Sequence, residues 1–228
     1  MEIILAENHG FCYGVKRAVE MANEAADGKG KSYTLGPIIH NPQVVGRLES
    51  KGVSPIQEVA DIDEGTMIIR SHGVGPAIYA EAEEKGLHIL DATCPHVKKA
   101  QQDAKSVIED GMTLVILGEK NHPEVKSINL WANNKGIIIE DEESAQKLQI
   151  VEKMGVVVQT TFSQFKFNSI IEILEKKSKN LKVFKTICNA TQERQNSAVD
   201  LARNVDLMIV IGGKNCLLYT SPSPRDCS

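Results

Sequence analysis

Apolar and polar positions along the chain follow one pattern, written three times. Val15, Ala18, Val19 and Ala22 recur at i, i+3, i+4 and i+7, the spacing of one helix face. Val97, Ala100 and Ala104 fall at i, i+3 and i+7, with Val107 and Ile108 one turn on, and Ala198, Leu201, Ala202 and Val205 repeat the first spacing. An apolar, β-rich run precedes each helix, at residues 2–5, 88–90 and 182–184. A short continuous apolar run of the buried-strand type follows the second and third helices, at 113–117 and 207–211, and stops at a glycine. Strand, helix, strand in this order predicts βαβ units with parallel sheets. Further strands at 67–69 and 156–158 extend the first two units and end in polar tips.

The three copies share one register. Cys12 and Cys94 are 82 residues apart, and so are Val15 and Val97, Lys16 and Lys98, Ala18 and Ala100, Leu35-Gly36 and Leu117-Gly118, and His40 and His122. A further step of 94 carries Cys94 to Cys188 and Gly118 to Gly212. In every copy the cysteine stands 24 residues before the glycine. Internal repetition of this kind sets the architecture. The expected fold is α/β: three pseudo-repeated α/β units in a trefoil around a central site, the third incomplete. The expected divisions are an N-terminal strand with the first cysteine (1–13), a first repeat (14–93), a second (94–187), a shortened third (188–215) and a tail (216–228).

Parallel sheets bind ligands beyond the carboxyl ends of their strands. The cysteines, His40, His72, His122, Gln159 and Thr160 are all expected there, turned toward one centre. Three thiolates form a trigonal set and leave a tetrahedral ion or cluster corner with one open position. Each cysteine also precedes a helix, whose positive end favours the thiolate. Cys12, Cys94 and Cys188 are therefore the expected metal ligands, and Cys216 and Cys227, without repeat counterparts, are not. His40, His72 and His122 lie in Gly- and Pro-rich loops whose imidazoles and amides suit phosphate oxygens. His9 and His88 read as ordinary surface or capping residues, and His96 fits either role. Glu124 is placed to carry protons if burial raises its pKa.

Composition narrows the class. The chain has 228 residues, 42% hydrophobic and 25% charged, with a net charge of -4, which argues against a general nucleic-acid surface. No apolar run approaches the roughly 18 residues of a membrane span, and the N-terminus has no basic segment of a signal peptide. Five widely spaced cysteines do not form a secreted disulfide framework. The expected compartment is the cytoplasm, with no membrane partner.

The segments AENHGFCYGVKRAV, LGPIIHNPQVV, RSHGV, DATCPHVKK, GEKNHPEV, QTTFS and TICNATQERQ together resemble the 4-hydroxy-3-methylbut-2-enyl diphosphate reductase family, over residues 6–215. That resemblance implies a trefoil around a [4Fe-4S] cluster held by Cys12, Cys94 and Cys188. It implies an open iron that takes the allylic hydroxyl of a diphosphate substrate. It makes His40, His72, His122 and Thr160 substrate-binding and Glu124 proton-delivering. The implied reaction yields isopentenyl and dimethylallyl diphosphate, with ferredoxin or flavodoxin as electron donor. Two other readings stand beside it: another three-cysteine trefoil enzyme such as quinolinate synthase, and a non-catalytic zinc-binding scaffold. The chain departs from the family after Asn215, where Cys216-Leu217-Leu218 replaces Ser-Ser-Asn and a tail without periodicity follows. The third unit is accordingly expected to lack part of its core and the chain to have little activity.

Overall fold

Strands β1 (Ser32–Leu35), β2 (Val53–Ile56), β3 (Thr66–Ile69) and β4 (His88–Asp91) form one parallel sheet in the order β2-β1-β3-β4. Strands β5 (Thr113–Leu117), β6 (Ile137–Ile139), β7 (Val151–Val158) and β8 (Ser178–Phe184) form a second with the corresponding order β6-β5-β7-β8. The structure is a computed structural model and describes residues 2–28 and 30–211. All six strand pairings are parallel. The central strands read as unbroken apolar runs because both faces are covered: Met67, Ile68 and Ile69, like Leu114 through Leu117, are fully buried.

The covering helices are α1 (Tyr13–Asp27), α2 (Pro42–Ser50), α3 (Pro76–Glu84), α4 (Pro95–Glu109), α5 (Pro123–Trp131), α6 (Glu142–Lys147) and α7 (Gln164–Glu175). The first two stripes read from sequence face the core, whereas the third, Ala198, Leu201, Ala202 and Val205, is only partly buried and Val205 lies beyond its helix. Ala18 and Ala22 of α1 pack with Ile68, and Ala100, Ala104 and Val107 of α4 pack with Leu114 and Ile116. Four helices start at a proline, where the missing N–H would have no helical partner anyway. Cys94 and His122 directly precede two of those prolines and so become N-caps.

The third unit differs from expectation. Its helix, α8 (Asn189–Arg203), forms as predicted. Residues 207–211 do not form a strand, and Leu207, Ile209, Val210 and Ile211 are exposed. The first apolar run, residues 2–5, is likewise unpaired, with Ile3 79% and Leu5 71% exposed. An apolar run becomes a strand only when a neighbour takes its N–H and C=O groups, and among the described residues neither run has one. Gly212 through Asn215, Cys216, Cys227 and the tail lie outside the described residues. Among the described residues no helix is long and apolar enough to cross a membrane.

Candidate active site

Most candidate residues follow strand ends; the exceptions are Cys12, which caps α1 ahead of any strand, and Glu124, in the first turn of α5. His40 comes after β1, His72 after β3, Cys94 after β4, His122 after β5, Thr160 after β7 and Cys188 after β8. Hydrogen bonds continue the ladders past the last strand residues and hold the tips in register. Ser71 N–H and hydroxyl both donate to Ile38 O, at 3.3 and 3.2 Å, and Cys94 N–H donates to Ser71 O at 3.0 Å. In the second sheet Cys188 N–H donates to Thr160 O at 2.8 Å. One cavity opens at these tips, and Cys12, Cys94, Cys188, His40, His72, His122, Glu124 and Thr160 all line it.

Each cysteine is a helix N-cap whose side chain makes no capping bond, so its sulfur is free to face the cavity. All three are half-buried free thiols. A Cβ on Gly14 would stand 2.6 Å from the Cys94 sulfur, so only glycine admits α1 beside it. One expectation needs correction. Burial pushes the Cys94 thiol pKa up despite the N–H groups of His96 and Val97, and the other two cysteines add to the rise. The helix N-terminus alone does not offset desolvation.

The three imidazoles form a tight group, with ring centroids 4.4 Å (His40–His72), 5.7 Å (His40–His122) and 5.5 Å (His72–His122) apart. Their ligand atoms lie within 4.8 Å of one another, close enough to share one ion. Nε2 of His40, Nδ1 of His72 and Nε2 of His122 are buried without partners among the described residues. His122 Nδ1 accepts from Glu124 N–H at 3.2 Å, so in the neutral ring the proton sits on Nε2 and is a free donor. Burial lowers all three pKa values: His122 to about 4, and His72 well below the usual value. Neutral, unpartnered imidazoles in a buried group are uncommon in a structure that has no use for them.

Glu124 is 2% exposed. Burial pushes its carboxyl up to about 7, against the opposing pull of hydrogen bonds from Thr160. Thr160 N–H donates to Oε1 at 2.6 Å and the Thr160 hydroxyl to Oε2 at 2.8 Å. Gln159 is at the same tip but does another job. Its Oε1 accepts from Glu119 N–H at 2.9 Å and its amide donates to Thr161, so it braces the loop ahead of His122. His88 is exposed at the start of β4, and His9 bonds to Ala6 O in an exposed loop. His96 borders the cavity beside Cys94.

Arg194, which the sequence reading passed over, also lines the cavity; it donates to Gly10 O at 3.2 Å and ties α8 to the Cys12 loop. Its signal was a cation six positions after Cys188 on a helix that begins there.

Residues 3–217 match the LytB protein family. The chain is 49% identical over 215 residues to the 4-hydroxy-3-methylbut-2-enyl diphosphate reductase of Geotalea uraniireducens, covering 94% of this chain and 76% of that protein. It is 48% identical to the protein of the same name from Geobacter metallireducens, with the same coverage. Among solved structures, one of (E)-4-hydroxy-3-methyl-but-2-enyl diphosphate reductase superposes with a TM-score of 0.78 at 44% identity, covering 95% of this chain and 79% of that one. The Plasmodium falciparum reductase superposes with a TM-score of 0.87 at 31% identity, covering 93% and 70%. A parallel α/β fold, three cysteines and three histidines on one cavity, and this continuous likeness lead to one conclusion: the chain belongs to the LytB protein family.

Proposed function

We propose that the chain is a 4-hydroxy-3-methylbut-2-enyl diphosphate reductase of the cytoplasm. It removes the allylic hydroxyl and releases isopentenyl and dimethylallyl diphosphate. Two electrons and two protons enter, the C–O bond breaks, one C–H bond forms and water leaves. The electrons come from a ferredoxin or flavodoxin-type donor. The observation that carries this reading is the joint lining of one cavity by three free thiols, three imidazoles each with a buried nitrogen that has no partner among the described residues, and a buried carboxyl.

The donor set fits a [4Fe-4S] cluster on Cys12, Cys94 and Cys188, the three arranged as in a trefoil. The thiols are free, half-buried and unused in capping, and Gly14 leaves the Cys94 sulfur its space. When bound, the cluster supplies electrons and, at the iron no cysteine holds, a Lewis acid for the hydroxyl. The chain's own residues do the rest. Nε2–H of His122, with His40 and His72 beside it, offers donors to diphosphate oxygens without adding a proton equilibrium near neutral pH. Glu124 is poised near pH 7 to hold a proton, and Thr160, whose hydroxyl donates to that carboxyl and which lines the same cavity, can relay it. Among the relatives and structures compared, the names are those of this reductase, which disfavours quinolinate synthase.

Anaerobic purification tests the reading. A brown protein with about four irons per chain that consumes the allylic diphosphate under a low-potential donor supports it. A colourless protein with one zinc per chain would overturn it.

A further inference from the structure

Arg70 is the first residue after β3 and stands two positions before His72. Leu35 of β1 and Ile69 of β3 are paired in register, so Arg70 lies level with Gly36, four positions before His40. The two also touch: a Cβ on Gly36 would stand 2.7 Å from the Arg70 Nη1. Gly36 has φ +70°, a conformation that disfavours any side chain, and its bare Cα lets the guanidinium cross there. The Arg70 head therefore rests at the foot of the two loops that carry His40 and His72.

Among the described residues no carboxylate pairs with Arg70, and its Nε is buried without an acceptor. Leaving a half-buried cation uncompensated is costly and calls for an anion. The three imidazoles by themselves leave the sign of their ligand open, because three neutral histidines this close suit a divalent cation as well as a phosphate. A fixed positive charge at their base resolves the choice. After burial, the Arg70 charge is also one of the causes that keep all three imidazoles deprotonated.

We propose that Arg70 is a positioning and specificity-determining residue whose uncompensated guanidinium, at the foot of the His40 and His72 loops, makes the imidazole pocket select a diphosphate anion. The inference rests on the reductase reading, in which those imidazoles hold the diphosphate. Arg70 does not line the cavity, so it acts through its field and through the loops it supports. A lysine, with the same charge and nearly the same reach, should therefore replace it.

The test is calorimetric binding of inorganic diphosphate to the cluster-loaded full chain, with thermal midpoints recorded for each variant. Arg70→Gln should weaken binding by on the order of tenfold, with the gap narrowing as salt is raised. Arg70→Lys should bind within about threefold of the unaltered protein. Arg70→Gln binding as tightly as the unaltered protein overturns the role of Arg70 alone. So does an Arg70→Lys variant that binds as weakly as Arg70→Gln and melts equally early, since the guanidinium is then only a packing element. Failure of the unaltered protein to bind diphosphate at millimolar concentration overturns the reductase reading, and the role of Arg70 with it.

Discussion

Glu124 and Thr160 are joined twice across 36 residues of sequence, by Thr160 N–H to Oε1 at 2.6 Å and by the Thr160 hydroxyl to Oε2 at 2.8 Å. The pair links the start of α5 to the tip of β7. It also places on the cavity wall a hydroxyl bonded to the buried carboxyl.

Thr160→Val keeps the shape and the N–H donor and removes the hydroxyl. The carboxyl loses a bond that lowers its pKa, so it should move further up. Stability should fall by about 1–2 kcal/mol, the cost of one hydrogen bond to a buried charged group. Turnover should fall by roughly 10²-fold with loss of the relay, and the alkaline limb of the pH–rate profile should move to higher pH. An unmoved limb would show that some other group titrates there.

Glu124→Gln isolates the carboxyl's part in stability. Its pKa is about 7 folded, against an ordinary 4.5, so between those values the folded state holds the extra proton. The stability it contributes is full below about pH 4.5 and is lost as pH rises through 7, by about 3 kcal/mol in all. The histidines act in the opposite sense, losing stability as pH falls below 6.5, but they are common to both proteins. Urea unfolding from pH 4.5 to 8 should show Glu124→Gln gaining on the unaltered protein as pH rises, then levelling above about 7. A pH-independent difference would exclude the shifted carboxyl.

Gly14→Ala places a methyl 2.6 Å from the Cys94 sulfur. The sulfur or α1 must move, and a ligand displaced in this way should lower iron content by more than half. Gly46→Ala is the control. Gly46 is exposed within α2 and a Cβ there meets nothing within 4 Å. That change should add about 0.5–1 kcal/mol of stability through helix propensity and leave iron content untouched.

Cys94→Ser should give a protein that folds but loses most of its iron and its broad visible absorption. Oxygen is a poor substitute for thiolate at such a cluster. Iron content and absorption equal to those of the unaltered chain would break the three-cysteine assignment.

Much of this molecule was legible before any coordinates. The helical stripes at Val15–Ala22 and Val97–Ala104 and the buried strand at Thr113–Leu117 form as read, whereas the helix that starts at Pro123 reads in the sequence only as a loop. These signals are local: periodicity and a strand-ending glycine act over a few residues. The 82-residue register went further, because equal spacing on equal topology brings equivalent residues to equivalent strand tips. Two β-like runs misled. Residues 2–5 and 207–211 have strand composition but no ladder among the described residues, and composition cannot supply a partner.

The sequence by itself determined two like parallel units and the placing of Cys12, Cys94, Cys188, His40, His72 and His122 at helix starts and strand ends. Only the tertiary structure decided the states of those groups. It buried Glu124 against Thr160 and raised its pKa. It gave His122 Nδ1 a donor and so freed Nε2–H. It left the Arg70 Nε buried without an acceptor among the described residues. The physical reason is desolvation: a group's proton affinity and its unmet hydrogen bonds depend on which segments arrive from elsewhere in the chain to exclude water, and no local spacing records that.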